Sequence, residues 1–489
     1  MAEDPYYLTS TDLTLGDGIT RTQALANTAS VNSISATLAA EGKNRPLVFP
    51  AGITMFAVDG TNPYLYWRSK VPFVGRGREV TTLKFHGSHS ANFFIFTGNT
   101  SRSSPFRNLA IRDLTIDMNR ANQTAGGNMA LLSGYVIDRE DTNILIKNVD
   151  GPGVYGLIPQ GNGTGADWGT QGSYGGQTQP ANRPDLSGSM FSENVRLNRV
   201  TVDGTGQTGA GDLCGFGGID GLYADGVEII GGRSAGIAVY GSRRVFLDNF
   251  VLKGCKFGGY MESNRMMQIR GWVVEGVTQA SGDLAETLPM AGVWICSLDE
   301  TYGVVPGDYD ACVDVVIDGL ICRDLTRIQP GSGNTTAGGV CGVLLSGRSP
   351  SHPVRMVKVV DCEFDRVRAL AAAQSPAQGS ATAKGYGIRV AGSAAEVDLD
   401  NNRFADCDQA IDLGDTWQGI SGSAGLMYVS VMHNRIRGCA NGIRWHDTTV
   451  NACAAKDNEF YSVSGTKYAE TSLTGSLTVG GTGNQIDHG

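Results

Sequence analysis

One stretch, Gly218 to Ile269, constrains this chain more than any other, because it repeats itself. The segments GIDGLYADGVEI from Gly218, GIAVYGSRRVFL from Gly236 and GGYMESNRMMQI from Gly258 can be laid over one another. The first two match without a gap, Gly218 on Gly236 and Val227 on Val245, a period of 18 residues, and the third follows 22 residues later. Each reads as a short strand, a turn and a second short strand. A unit of that size buries no core alone, whereas stacked copies bury a continuous one.

Similar segments recur from Phe106 nearly to the end. FRNLAIRDLTIDM, CVDVVIDGLICRDL, VRMVKVVDCEFDRV and MYVSVMHNRIRGC are apolar at every second position, as strands with one inward face require. Asn148, Asp248, Asp361, Asn402, Asn434 and Asn458 stand near the turns, where Asn and Asp suit left-handed corners and side-chain hydrogen-bond ladders. Helical spacing of Ala24, Leu25, Val31, Ile34, Leu38 and Ala39 predicts a helix over Arg21 to Glu41. The expected fold is all-β: a single-stranded right-handed parallel β-helix of about ten rungs with a short N-terminal capping helix. The expected division is 1–105 for leader, helix and first strands, 106–461 for the β-helix with loop insertions, and 462–489 for a tail that caps the helix or contacts another subunit.

Composition narrows the function. Hydrophobic residues at 41% against 18% charged give the chain apolar material to bury. A net charge of −9 speaks against a nucleic-acid partner, yet a local cleft can still oppose the global sign. No run approaches a membrane span, so no membrane insertion is expected, and MAEDPYYLTSTD shows no signal peptide. The ten cysteines lack CxxC pairs and zinc-ligand spacing. Cys407 and Cys439 occupy equivalent positions 32 residues apart, and Cys255 and Cys362 stand at similar places in their own segments, which predicts buried stacked thiols. The six histidines form no ligand cluster or triad pattern. No metal and no cofactor are expected.

Near the N-terminus, Gly16-Asp17-Gly18 precedes the helix, PLVFPAG follows it, and VPFVGRGREVTTLKFHG runs from Val71 to Gly87. In this order the motifs resemble the N-terminal signature of the pectate-lyase-like β-helices of phage tailspikes, over about 75 residues. The resemblance implies a polysaccharide depolymerase, a polysaccharide partner, a homotrimer, and an extracellular or virion-associated location. The motif sets of polygalacturonases (NTD, DD, GHG, RIK), pectate lyases (WiDH, RxPxxR) and mannuronan epimerases (DPHE) are missing. The reaction therefore stays open.

Insertions at Leu157–Met190, Asp203–Gly217, Thr278–Met290, Asp299–Ala311, Gln329–Gly339 and Ala371–Lys384 flank the same strand in successive rungs, so they are expected to wall one face. With Ile237 and Val239 inward, the repeat places Asp220, Ala238, Tyr260, Trp294, Leu344, Arg389, Asp412 and Arg444 in one outward column. The next outward column holds Leu222, Tyr240, Glu262, Cys296, Ser346, Ala391, Gly414 and His446, and Asp225, Arg243 and Arg265 share a turn position. Tyr240, Tyr260 and Trp294 suit stacking on sugar rings, with Arg243 and Arg265 as hydroxyl or carboxylate partners.

Hydrolysis of a glycosidic bond needs two carboxyl groups. Asp220 and Glu262, two rungs apart at ~12 Å between Cα atoms by rung spacing, suit an inverting pair. Glu262 beside tyrosines is then the acid and Asp220 the base, with Asp225, Asp212 and Asp299 in reserve. A lyase or epimerase acting on a uronate-containing polymer would use Tyr240 or Tyr260 with Arg243 and Arg265. A carbohydrate-binding tail adhesin without catalysis is the reading from another class.

Overall fold

The computed structural model describes residues 4–87, 93–97, 105–123, 129–134, 136–151, 153–157, 192–207, 212–277, 290–296, 312–328, 339–347, 353–370, 385–415, 425–446, 449–470, 474–479 and 485–487. Of the insertions named above, Asp203–Gly217 is described except for 208–211, and most of each of the others lies outside the described residues. The chain is a right-handed parallel β-helix with one N-terminal helix, and it divides into two compact units. The first comprises Met1–Ser234 with Tyr240–Arg244, the second Ala235–Val239 with Val245–Gly489. In both, parallel strands form a broad ladder and a narrow one.

In the first unit the helix runs over Arg21–Ala40. Thr20 and Gln23 close a capping box that satisfies its first amides. The buried face is more polar than a simple apolar stripe, holding Asn27, Thr28, Asn32 and Ser35 beside Ala24, Val31 and Leu38, while Leu25, Ile34 and Ala39 are only half-buried. The reason lies in what the helix covers. It closes over unpaired strand backbone, whose polar groups need partners. Asn32 donates to Tyr64 O at 3.0 Å and accepts from Tyr66 N at 2.9 Å, doing with a side-chain amide what a further strand would do with peptides. Asn27 donates to Met55 O and Thr28 to Ala57 O in the same manner.

The narrow ladder of this unit stacks Leu65–Tyr66, Phe93–Phe96, Met129–Ser133, Val154–Leu157 and Cys214–Gly217. Its broad ladder includes the long strands Phe106–Asp117, Val136–Lys147 and Ser192–Asp203, then Ile219–Asp225 and Glu228–Ile230. Each long strand bends at a left-handed residue such as Asp113, Asn143 or Arg199.

The second unit shows the rung in full, and it has three strands where two were expected. Phe257–Glu262, Arg265–Arg270 and Val273–Glu275 make one turn, and Met290–Cys296, Val313–Asp318 and Ile321–Ile328 make the next. The pattern repeats to Asn441–Trp445, Thr449–Lys456 and Asn458–Tyr461. Among the described residues, five narrow-ladder strands in the first unit and eight in the second exceed the expected ten or so rungs. Tyr468–Glu470, Thr474–Val479 and Gln485–Asp487, within the expected tail, pair in parallel with the preceding rung.

Of the predicted corner residues, Asn148 and Asp361 are left-handed. Asn402, Asn434 and Asn458 are not: each follows a left-handed residue (Asn401, His433, Asp457) and turns its side chain into the core. Asn402 N and Nδ2 donate to Asn434 Oδ1, and Asn434 N and Nδ2 donate to Asn458 Oδ1, all at 3.0–3.1 Å. Asp248 does neither and instead accepts from Arg270 at 3.0 Å. The ten cysteines are buried thiols. Burial pushes Cys255, Cys312 and Cys362 up to about 12. No helix among the described residues is long and apolar enough to cross a membrane.

Two expectations follow. Asn434→Ala orphans the Asn402 amide and the Leu399 carbonyl inside the core, so chemical denaturation should show a loss of about 1–3 kcal/mol, while His433→Ala on the exposed neighbour should cost far less. Native protein at pH 8 should resist iodoacetamide at Cys255, Cys312 and Cys362, because a thiol titrating near 12 holds almost no thiolate there; mass spectrometry should find these sites alkylated only after unfolding.

Candidate functional site

The 18-residue register fails at its first segment. In the first unit the narrow-ladder strand is Cys214–Gly217, and Ile219–Asp225 belongs to the broad ladder, with Glu193 opposite Asp220. Gly218 N donates to Tyr240 O and Ile219 N to Ser242 Oγ, so Gly218 lies beside Tyr240 rather than beside Gly236. Gly218 is a corner glycine with φ +60°, whereas Gly236 is a strand glycine without positive φ. Asp220 and Leu222 therefore leave their assigned columns.

Asp220 has a well-defined environment of its own. Its carboxylate is largely buried, with Arg243 Nη2 at 2.7 Å from one oxygen and Arg244 Nε at 2.5 Å from the other. Asp225, at the end of the same strand, is exposed and pairs in register with Asn198. Tyr240 is half-buried, and its hydroxyl donates to Asp212 Oδ2 at 2.6 Å while Ser234 donates to Oδ1 at 2.7 Å. The first unit thus assembles two clusters, one around Asp220 and one around Asp212. Deeper inside, Arg139 and Asp141 form a fully buried ion pair at 2.7 Å, and burial raises the Asp141 carboxyl against the opposing pull of Arg139.

In the second unit the outward column holds from rung to rung. Tyr260 pairs with Trp294, Trp294 with Leu344, Leu344 with Arg389, Arg389 with Asp412 and Asp412 with Arg444. Neighbours inward of it, Val293, Val343, Ile388, Ile411 and Ile443, are buried to 1% or less. In the second column Glu262 pairs with Cys296 and Ser346 with Ala391, but a bulge after Val390 brings Asp415, not Gly414, opposite Ala391.

Outward does not mean exposed here. Trp294 is 4% exposed, packed edge-to-face on Tyr260 at 5.1 Å and tilted against Phe257 at 5.8 Å, and its indole donates to Ser346 Oγ at 2.8 Å. Tyr260 is half-buried and Glu262 is 2% exposed. The Glu262 charge contributes, after burial, to raising Cys312. Arg265 is half-buried and opens the next strand opposite Val313. Asp299 lies outside the described residues.

Further along the same face stands a polar cluster whose members the repeat aligned without marking them as a site. His446 Nε2 lies 2.7 Å from Asp412 Oδ1, Arg389 Nε lies 3.7 Å from Asp412 Oδ2, and the Arg389 guanidinium sits 4.6 Å from the Tyr386 ring centre. Arg389 and Asp412 are 4% and 1% exposed. The signal was available: a charge between two inward apolar residues in Ile388-Arg389-Val390, Ile411-Asp412-Leu413 and Ile443-Arg444-Trp445. No group of three or more His, Cys, Asp or Glu suited to a metal occurs among the described residues.

No protein-family model and no curated protein matches the chain. Solved structures do match. Bacteriophage CBA120 tailspike protein 3 aligns with 99% of this chain and 62% of its own length at 11% identity and a TM-score of 0.50. The fold is shared. The A-module of mannuronan C-5 epimerase AlgE6 from Azotobacter vinelandii covers 98% of each chain at 14% identity and 0.44. PfbA, a surface adhesin of Streptococcus pneumoniae, covers 99% of this chain and 93% of its own at 11% and 0.47.

The packing of Trp294 makes its indole a structural donor. Trp294→Phe should keep the aromatic stack and lose the bond to Ser346, lowering stability by about 0.5–1.5 kcal/mol in chemical denaturation.

Proposed function

We propose that this chain is a polysaccharide depolymerase that cleaves glycosidic bonds by hydrolysis, working on the outer face of the narrow ladder in the second unit. The observation that carries this reading is the register column from Tyr260 to Arg444, which lines up aromatic, acidic and basic side chains on successive rungs. Rungs repeat every ~4.8 Å, so a sugar chain laid along the axis meets a new side chain at each step. Tyr260 offers a half-buried ring for a sugar face.

In this proposal Glu262 is the general acid. Withdrawal from water suits a carboxyl that must deliver a proton, because a dry site tolerates the neutral form. The first unit holds carboxylates of its own, Asp220 and Asp225. Asp220 is held by two guanidinium groups, whereas Asp225 is exposed. Arg265, half-buried at the start of the strand following Glu262, is the sugar-binding cation. The Tyr240–Asp212 bond at 2.6 Å favours a second reading: a lyase or epimerase on a uronate-containing polymer, with Tyr240 as proton carrier. The proposal includes a homotrimer and an extracellular or virion-associated setting, both testable by sedimentation and by immunogold labelling of the source particle or cell.

Incubation with a panel of bacterial and plant polysaccharides decides the class. New reducing ends without ultraviolet absorbance mean hydrolysis, absorbance from an unsaturated sugar means a lyase, and binding without either means an adhesin. Glu262→Gln should lower kcat by ~10²–10⁴ while leaving binding unchanged; full turnover in this variant removes Glu262 from the mechanism.

A further inference from the structure

The proposed function leaves the far end of the column unused, and its charges do not balance. Arg389, Asp412 and Arg444 occupy the same outward position on three successive rungs, and His446 follows Arg444 by two residues on the same face. The single carboxylate in this group is engaged twice. Arg389 approaches one of its oxygens at 3.7 Å and His446 Nε2 the other at 2.7 Å. Arg444, half-buried with its strand neighbours Ile443 and Trp445 locked in the core, has no ion pair among the described residues. A guanidinium next to a carboxylate would ordinarily take part in neutralising it. Here one oxygen of that carboxylate takes the His446 contact, and the other lies within ion-pair reach of the buried Arg389 without a hydrogen bond.

We infer that Arg444 and His446 form a subsite for the carboxylate of an acidic sugar, and that the polymer this protein takes therefore carries uronic or other carboxylated residues. The inference rests on the reading of this face as a polysaccharide surface and specifies its substrate class. Three features support it. The cation is held by strand register, since Arg444 lies opposite Asp412 on one side and Ala469 on the other. His446 is held by the Asp412 oxygen and keeps 17% of its side chain exposed, so it presents an edge beside Arg444. Finally, a net positive spot on a protein of net charge −9 is the kind of local reversal that draws in an anionic ligand. Arg389 and Asp412, both buried, are positioning residues: they fix His446 and occupy the carboxylate, and they do not touch the sugar.

The test compares acid with neutral at constant backbone. Hexamers of galacturonate, mannuronate and glucuronate, each beside its carboxyl-reduced counterpart, are titrated by calorimetry into the full-length wild type and into Arg444→Gln and Arg444→Lys. At least one acidic hexamer should bind tenfold or more tightly than its reduced partner, with affinity falling as salt is raised. Arg444→Gln should erase that difference without weakening the reduced hexamer, and Arg444→Lys should restore part of it. Unchanged melting of both variants shows that the fold persists. Equal binding of acidic and reduced hexamers overturns the inference, as does a loss in Arg444→Gln that is the same for both. Cleavage of a neutral polysaccharide with such equal binding overturns the subsite alone; failure of every hexamer and every panel polymer to bind overturns the polysaccharide reading as well.

Discussion

The second unit is organised around a close approach of backbone to backbone. A Cβ built on Gly258 would stand 2.3 Å from the carbonyl oxygen of Gly292, one on Gly292 2.7 Å from that of Gly342, and one on Gly342 2.6 Å from that of Gly387. A side chain at these four glycines would collide with the next rung, and at the same point of the following turns stand Ala410, the smallest side chain, and then Gly442. Inside, the space beside these glycines is taken by Val274 at Gly258, by Cys322 at Gly292, and by rings further on: a Cβ on Gly342 would meet Phe364 at 2.2 Å, and one on Gly387 would meet Phe404 at 2.4 Å. Phe364 and Phe404 themselves stack at 5.1 Å. The glycines thus set where the backbone passes, the rings lock that position, and every residue after the glycine inherits a fixed direction, inward or outward.

This explains which parts of the fold were legible. Glycine followed by alternating apolar residues marks the narrow-ladder strand wherever both signals coincide, as in Gly342 to Leu345 and Gly387 to Val390. Gly218 shows the limit. A left-handed corner glycine and a close-approach glycine are the same letter, and only the partner across the ladder tells them apart. Asn402, Asn434 and Asn458 repeat the lesson, since Asn serves equally for a left-handed corner and for a buried ladder. The residue that takes the left-handed turn stands just before each of them.

In the second unit the column read from the repeat matches the strand register, while the surroundings of its members do not follow from it. Periodicity placed Tyr260, Trp294, Arg389, Asp412 and Arg444 on one column, and the pairing puts them there. It had no means of showing that Trp294 is buried by Phe257, Tyr260 and Ser346, all distant in sequence. Nor did it show that Asp220 is held by Arg243 and Arg244, because that contact depends on the register that failed at Gly218. Burial and pairing arise from rung-to-rung neighbours, which a single-strand pattern does not contain.

A stacked fold also changes how a polar cluster can be built. In a globular core, a buried carboxylate needs partners gathered from several directions, and an unmatched charge beside it is costly. On a β-helix column, each charge has one neighbour above and one below at a spacing of ~4.8 Å, so compensation is one-dimensional. Asp412 sits between Arg389 and Arg444 in such a column, with His446 reaching in from the adjacent position. One anion between two cations leaves a positive surplus at the more solvent-accessible end, which is Arg444 because Arg389 is buried. The surplus is therefore a consequence of the order of charges along the column and of the depth of each, and shifting any one of the three by a rung would remove it.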